Sequence, residues 1–193
     1  MTELFIKYLK GHVGDIYVWG AQGETDITEK WIRRRETGEK NAKRAIALWE
    51  KRKAEGRSPI AAFDCSGLIV KFLLDNKLIK SDMSSRGLYS ACEKLNDRSQ
   101  LAPGDLLFRH NGKRIHHVGA YIGCGLVIEA MGRDDGVVLN CLDSNGAGYW
   151  NRYGRLPVLK DSGETEEVPE CCKGECPCRQ LMKEILKGEN NEQ

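Results

Sequence analysis

The chain has 193 residues, 40% of them apolar and 30% charged, and carries a formal net charge of +2. That length suits one compact domain with an elaboration, and the balance excludes wholesale disorder. No apolar run reaches the roughly 18 residues that a membrane-crossing helix needs, so no membrane span is expected.

Leu4, Phe5, Tyr8 and Leu9 recur at helical spacing and predict an amphipathic helix, followed by a turn-rich stretch from Gly14 to Gly20. A second helical signature opens at Asp26-Ile27-Thr28-Glu29, which has the form of a capping box. Ala42, Ala45, Ile46 and Trp49 continue it as a stripe, and Gly56 and Pro59 end it. Residues 24–60 are therefore expected to be helical. They are also basic: between positions 30 and 57 stand eleven Lys or Arg against four Glu. Such a run is either a solvated helix face or a surface for an anionic partner, such as a wall polymer. It lacks interleaved aromatic residues, so nucleic acid is not expected.

Phe63 to Leu74 joins a polar opening, Asp64-Cys65-Ser66-Gly67, to a nearly all-apolar run, which predicts a buried helix with Cys65 in its first turn. Pro103-Gly104-Asp105 is a turn ahead of a strand over 106–108. Further strands are predicted at 115–122 and 126–130, joined by Gly123-Cys124-Gly125, then at 137–139 and 154–158. One central helix and an antiparallel sheet make an α+β domain over residues 1–160. Residues 161–193 form a separate acidic tail, with nine acids against four bases.

Of eight cysteines, Cys65, Cys92, Cys124 and Cys141 are dispersed and are expected to behave as small hydrophobes. Cys171, Cys172, Cys176 and Cys178 crowd into eight positions of the tail. That spacing departs from the separated pairs of a structural zinc site, and leaves these four as weak candidates for soft-metal binding.

A cysteine at a helix start meets the positive end of the helix dipole and free backbone N–H groups, which favour thiolate. Gly67 allows close approach beside it, and Asp64 can cap the helix or bind a cationic group. Strand alternation puts His117, Gly119 and Tyr121 on one face of the 115–122 strand and His116 on the other. An imidazole beside a glycine gap suits a thiol and its general base, with the gap expected to admit the helix.

Four motifs now stand in order: Tyr17-Val18-Trp19-Gly20, Phe63-Asp64-Cys65-Ser66-Gly67-Leu68, Pro103-Gly104-Asp105-Leu106-Leu107-Phe108 and His117-Val118-Gly119-Ala120-Tyr121-Ile122-Gly123. Together, over about residues 12–158, they resemble the NlpC-type cell-wall peptidases. The resemblance implies a papain-like fold and a cysteine peptidase that hydrolyses peptidoglycan stem peptides without a cofactor. Cys65 would be the nucleophile and His117 its base. Tyr17 would line the site and help hold the oxyanion, and Asp64 and Ser66 would recognise the substrate's amine or backbone. Ser85 and Arg86 match only loosely the region that meets its acidic end. The first ten residues interrupt their apolar positions with charges and do not read as a secretory leader. Synthesis in the cytoplasm is expected, with access to the wall by lysis, phage or a secretion machine.

Two departures stand out. The basic segment intervenes between Trp19-Gly20 and the nucleophile motif, where it would roof the cleft. The family's third catalytic residue is usually His, Asn or Gln, whereas this chain offers Glu129. If Gly123-Cys124-Gly125 is a three-residue hairpin loop, paired positions place Glu129 opposite Gly119, on the face of His117; a two-residue loop reverses that parity. Two other functions remain open: a thiol amidase or acyltransferase acting on a lipid or protein, and a non-catalytic metal-binding module.

Overall fold

The computed structural model describes residues 1–146 and 148–160. The 161–193 tail, with Cys171, Cys172, Cys176 and Cys178, lies outside the described residues.

The chain runs through α1 (Thr2–Gly11), β1 (Ile16–Tyr17), β2 (Gln22–Glu24), α2 (Glu29–Arg35), α3 (Glu39–Ala54), β3 (Ala62–Phe63), α4 (Gly67–Asp75) and α5 (Ser85–Ala91). It continues through β4 (Glu93–Leu95), β5 (Leu106–His110), β6 (Ile115–Gly123), β7 (Leu126–Gly132), β8 (Gly136–Cys141) and β9 (Arg152–Arg155). Six strands form an antiparallel sheet in the order β4-β9-β5-β6-β7-β8. A small second sheet, β1-β3-β2, pairs β1 parallel and β2 antiparallel to β3. The expected α+β class holds.

α4 is the middle of the molecule because its sequence is apolar all round. Leu68, Ile69, Val70, Phe72 and Leu73 are buried between α1, through Phe5 and Leu9, and the sheet, through Phe108, Val118, Ala120, Ile128, Ala130, Val137 and Leu139. Leu107, Tyr121, Val127 and Trp150 form a separate cluster. Strand alternation puts Leu107, Tyr121 and Val127 on the sheet face turned away from α4.

The basic segment is two helices rather than one. The cap is Thr28, whose hydroxyl accepts from Trp31 N–H at 3.2 Å, and α2 stops at Arg35 ahead of Gly38, where φ is +131°. A positive φ of that size suits only glycine, so the helix cannot run through. α3 buries Ala42, Ala45 and Leu48, with Ile46 and Trp49 half-buried beside them. Ile16, Ile32, Leu48 and Ile60 dock the insertion on the small sheet's side of the domain, each buried side chain contributing about 2 kcal/mol.

The small sheet escaped prediction because two- and three-residue strands are too short to show a period. It matters because Tyr17 pairs with Phe63, directly ahead of Asp64-Cys65. The last predicted strand shifts to β9 and ends in a 3-10 turn over Pro157–Leu159. Asp105, from the Pro-Gly-Asp turn, is buried and accepts from Arg155 Nε and Nη2 at 2.7 Å, tying β5 to β9. Beyond β8, Gly14 N–H donates to Val137 and Val137 N–H to Asp15, so residues 14 and 15 line that strand's outer edge.

Candidate active site

Asp64 builds the turn that presents Cys65. Its Oδ1 accepts from Gly67 N–H at 2.6 Å and from the Ser66 hydroxyl at 3.1 Å, while Oδ2 accepts from Gly20 N–H at 3.0 Å. Leu68 N–H donates to Asp64 carbonyl, closing a first turn around Cys65 just ahead of α4. Of the two roles expected for Asp64, capping is the one this geometry displays, and Ser66 turns its hydroxyl onto the same carboxylate. A Cβ on Gly67 would lie 2.1 Å from Ala21 carbonyl oxygen, so only glycine lets the Trp19-Gly20-Ala21 loop cross here.

Cys65 Sγ is reached by the backbone N–H groups of Val118, Ser66 and Cys65 itself. The β6–β7 pairing runs only from Ala120↔Ile128 to Gly123↔Leu126, so Val118 lies past its end. The sulfur thus sits against β6 one residue from His117. These donors favour thiolate, but burial outweighs them and, with the Asp64 carboxylate beside it, pushes the thiol up to about 12. The helix start alone does not produce the thiolate expected from sequence.

His117 and Glu129 meet. Nε2 of His117 lies 2.6 Å from Glu129 Oε2, with the histidine 7% and the glutamate 1% exposed. Glu129 Oε1 accepts from Asn140 Nδ2 at 3.2 Å, and the Tyr149 hydroxyl also bonds the carboxylate. The Trp150 ring stacks on the imidazole, centroids 5.6 Å apart and planes 16° from parallel. Gly119 admits that indole: a Cβ there would lie 2.9 Å from Trp150 Cη2 and 3.2 Å from Glu129 Cβ. The glycine gap therefore takes a tryptophan, whereas Val118 and Ala120, on the opposite face, pack toward α4. His116 is exposed.

The register behind this pair combines two effects that sequence could not separate. Gly123 pairs with Leu126, so the β6–β7 loop has two residues, Cys124 and Gly125. A shift at Ile122 then restores Tyr121↔Val127 and Ala120↔Ile128. The short loop would have turned Glu129 away, and the bulge turns it back.

Tyr17 is buried, with Cys65 and Asp64 among the charges acting on its hydroxyl, whose pKa burial raises. The Arg133 guanidinium lies over its ring, 5.0 Å from the centroid. Ser85 is buried as the first residue of α5 and Arg86 is exposed on it; no hydrogen bond or ion pair joins either side chain to Cys65, His117 or Glu129. Sequence reasoning missed Asn140, Tyr149 and Trp150. Asn140 was within reach of a strand argument, because Glu129 pairs with Val138 and alternation puts Asn140 on the same face. Trp150 comes from a loop and left no periodic signal. A cavity of about 940 Å³ lies elsewhere, lined by His12, Asp15, Arg52, Arg57 and β8, and contains none of Tyr17, Cys65, His117 or Glu129. Cys65, Cys92 and Cys141 are free thiols, whereas Cys124, expected to be free, is disulfide-bonded. Among the described residues no group of three or more His, Cys, Asp or Glu is placed to hold a metal ion, and no helix is long and apolar enough to cross a membrane.

A cysteine-bearing turn ahead of a buried helix, packed on an antiparallel sheet with a histidine and its carboxylate partner on neighbouring strands, is the papain-like arrangement. The NlpC/P60 family profile matches residues 14–155, and the chain belongs to that family. It is 29% identical over 148 residues to "Probable endopeptidase p60" of Listeria grayi, covering 76% of this chain and 21% of that protein. It is 33% identical over 101 residues to "Bifunctional muramidase/DL-endopeptidase CwlT" of Bacillus subtilis, covering 51% of this chain and 29% of that one. This chain thus spans about a fifth to a third of the curated relatives it matches. Among solved structures, the P60 domain of M. avium subspecies paratuberculosis antigen MAP1204 superposes with a TM-score of 0.52 at 24% identity, over 83% of this chain and 96% of that one.

Proposed function

We propose that this protein is a cysteine peptidase that hydrolyses stem peptides of bacterial peptidoglycan. The observation that carries the reading is the buried His117–Glu129 pair on β6 and β7, one residue from the backbone N–H that meets Cys65 Sγ. The family membership and the endopeptidase names of its relatives support the substrate class.

The chemistry follows from which atoms are already engaged. Glu129 holds Nε2, so Nδ1 of His117 is the nitrogen left to take the Cys65 proton. The sulfur attacks the scissile carbonyl carbon as that proton moves, and the imidazolium forms against the Glu129 carboxylate. Backbone N–H at the Cys65 turn and the Tyr17 hydroxyl hold the developing oxyanion. His117 then protonates the departing amine, leaving a thioester. Water attacks the thioester, His117 takes its proton, and the acid leaves as the thiol re-forms. Because burial holds Cys65 protonated, base removal and attack occur together rather than from a standing thiolate.

The test is digestion of soluble muropeptides followed by mass spectrometry. The parent should release cleaved peptides, and Cys65→Ala should lose several orders of magnitude of activity while keeping its fold. Binding of muropeptide without cleavage by the parent would leave a binding module instead.

A further inference from the structure

The helix break inside the basic insertion has a consequence at the site. α2 ends at Arg35, and Glu36, its C-cap residue, turns its carboxylate inward, where the side chain is fully buried. Oε2 accepts from Arg133 Nε at 2.9 Å, with Nη2 2.8 Å away as an ion-pair contact, and Oε1 accepts from Trp19 N–H at 3.1 Å. Arg133 lies in the β7–β8 turn and Trp19 is two residues past Tyr17. One carboxylate therefore joins the loop that follows Tyr17 to the turn that carries Arg133, and the guanidinium it meets lies over the Tyr17 ring.

We propose that the insertion supplies a positioning residue to this site: Glu36, acting through Arg133, holds the Tyr17 ring beside Cys65. Stability alone does not account for the arrangement. Burying a carboxylate and a guanidinium costs about as much desolvation as the pair regains, so an apolar pair would serve the core as well. What the charged pair adds is direction, because a planar guanidinium held by its Nε–H on a fully buried carboxylate is restricted in orientation, and a cation over the face of a phenol ring restrains the ring in turn. Tyr17's backbone is already set by pairing with Phe63, so the side-chain rotation is the freedom left to restrain. The rest of the insertion serves the same docking: Arg35 bonds Gly20 carbonyl oxygen and Glu24, and Arg44 bonds Asp134, next to Arg133, through Nε at 2.7 Å.

The kinetic arm of the test rests on the peptidase reading; the spectroscopic arm does not. With tyrosine labelled by ¹³C and Tyr17 assigned through Tyr17→Phe, Glu36→Gln and Arg133→Met should each shift the Tyr17 ring resonance. An unchanged resonance in both overturns the proposal, whatever the activity. On muropeptide, Arg133→Met should lower kcat about tenfold with KM within about threefold, because an oxyanion donor acts in the transition state. Arg133→Lys, which keeps the cation but loses the planar guanidinium, should fall between. In a Tyr17→Phe background the same Arg133→Met change should cost less than about twofold more. A full tenfold loss in both backgrounds overturns the proposal, since Arg133 would then act without Tyr17. If the parent cuts no muropeptide, the peptidase reading falls and the ring resonance alone decides this one.

Discussion

Glu129 has two oxygens and the site uses both. Oε2 faces His117 and Oε1 faces Asn140, with the Tyr149 hydroxyl alongside, so the carboxylate is held as well as holding. An acceptor buried this deeply can be removed only at the cost of orphaning the imidazole N–H. Glu129→Ala should therefore lower kcat/KM at least tenfold, about 1.4 kcal/mol or more in the barrier. Glu129→Gln should retain more, since an amide oxygen can accept from His117 while the Asn140 amide turns over to receive the new NH2. Turnover on muropeptide measures both, and a Glu129→Ala protein within twofold of the parent would show that the imidazole is oriented by another group. At this scale two features were legible by residue type and position: the meeting of His117 with an unusual carboxylate and the turn-building role of Asp64. What stayed hidden were Asn140, Tyr149 and Trp150, because a supporting residue carries no motif of its own and becomes visible only when strands are in register.

Two glycines show how elements, rather than residues, set the site. Gly119 in β6 has no positive φ to explain it; the indole of Trp150 occupies the place of its side chain. Gly119→Ala should push that ring off His117, lowering activity while the melting temperature falls by only a few degrees, a loss on the order of 1 kcal/mol. Gly67→Ala is the harsher change, because the obstacle is a backbone carbonyl that itself accepts from Asp64 N–H. Thermal unfolding of the two variants should rank Gly67→Ala well below Gly119→Ala. The insertion gives a second lesson in elements. Of its eleven cations, Arg33, Arg35, Lys43, Arg44, Lys51, Arg52, Lys53 and Arg57 lie within 4 Å of an acid, which leaves Lys30, Arg34 and Lys40 without one among the described residues. Four acids outside positions 30–57, Asp15, Glu24, Glu29 and Asp134, offset part of the formal excess of charge visible in the sequence. Any anionic wall polymer bound there would meet three cations without a neighbouring acid rather than a continuous unpaired basic face. Sequence could count the charges but not their partners, several of which, such as Asp134 and Asp15, are distant in the chain.

The whole molecule concentrates groups whose neutral form is the folded one. Burial raises the pKa of Cys65 and Cys92 to about 12 and that of Tyr8 and Tyr17 as well. Between the ordinary thiol value of 9.0 and about 12 the unfolded chain sheds protons that the native protein keeps. The unfolded state then binds fewer protons, so stability falls as pH rises through that window. Each buried thiol contributes a slope approaching about 1.4 kcal/mol per pH unit. Urea unfolding should show a steady loss of stability above pH 9, and Cys92→Ala should flatten the slope even as it lowers stability at neutral pH. A curve flat to pH 11 would show that these thiols ionise freely in the native state. The α+β architecture was readable at this scale from the long apolar α4 and the run of alternating strands. The small β1-β3-β2 sheet, which brings Tyr17 to Cys65, was not, because its strands are too brief to carry a pattern and exist only through pairing.

A sheet that stops must stop somewhere, and a bare strand edge invites another chain to add to it. Here the β8 end is occupied by the protein's own residues 14 and 15, whose bonds to Val137 take up the outward-facing groups at that position, and Gly136 lets Asp15 carbonyl oxygen approach to where a Cβ would collide at 2.1 Å. The other end is β4, three residues long, with Glu93 and Lys94 both exposed. The same loop that leads into Tyr17 thus also covers the start of the sheet's β8 edge. A change that loosened it would weaken the approach to Cys65 and, by the same movement, uncover a template for aggregation.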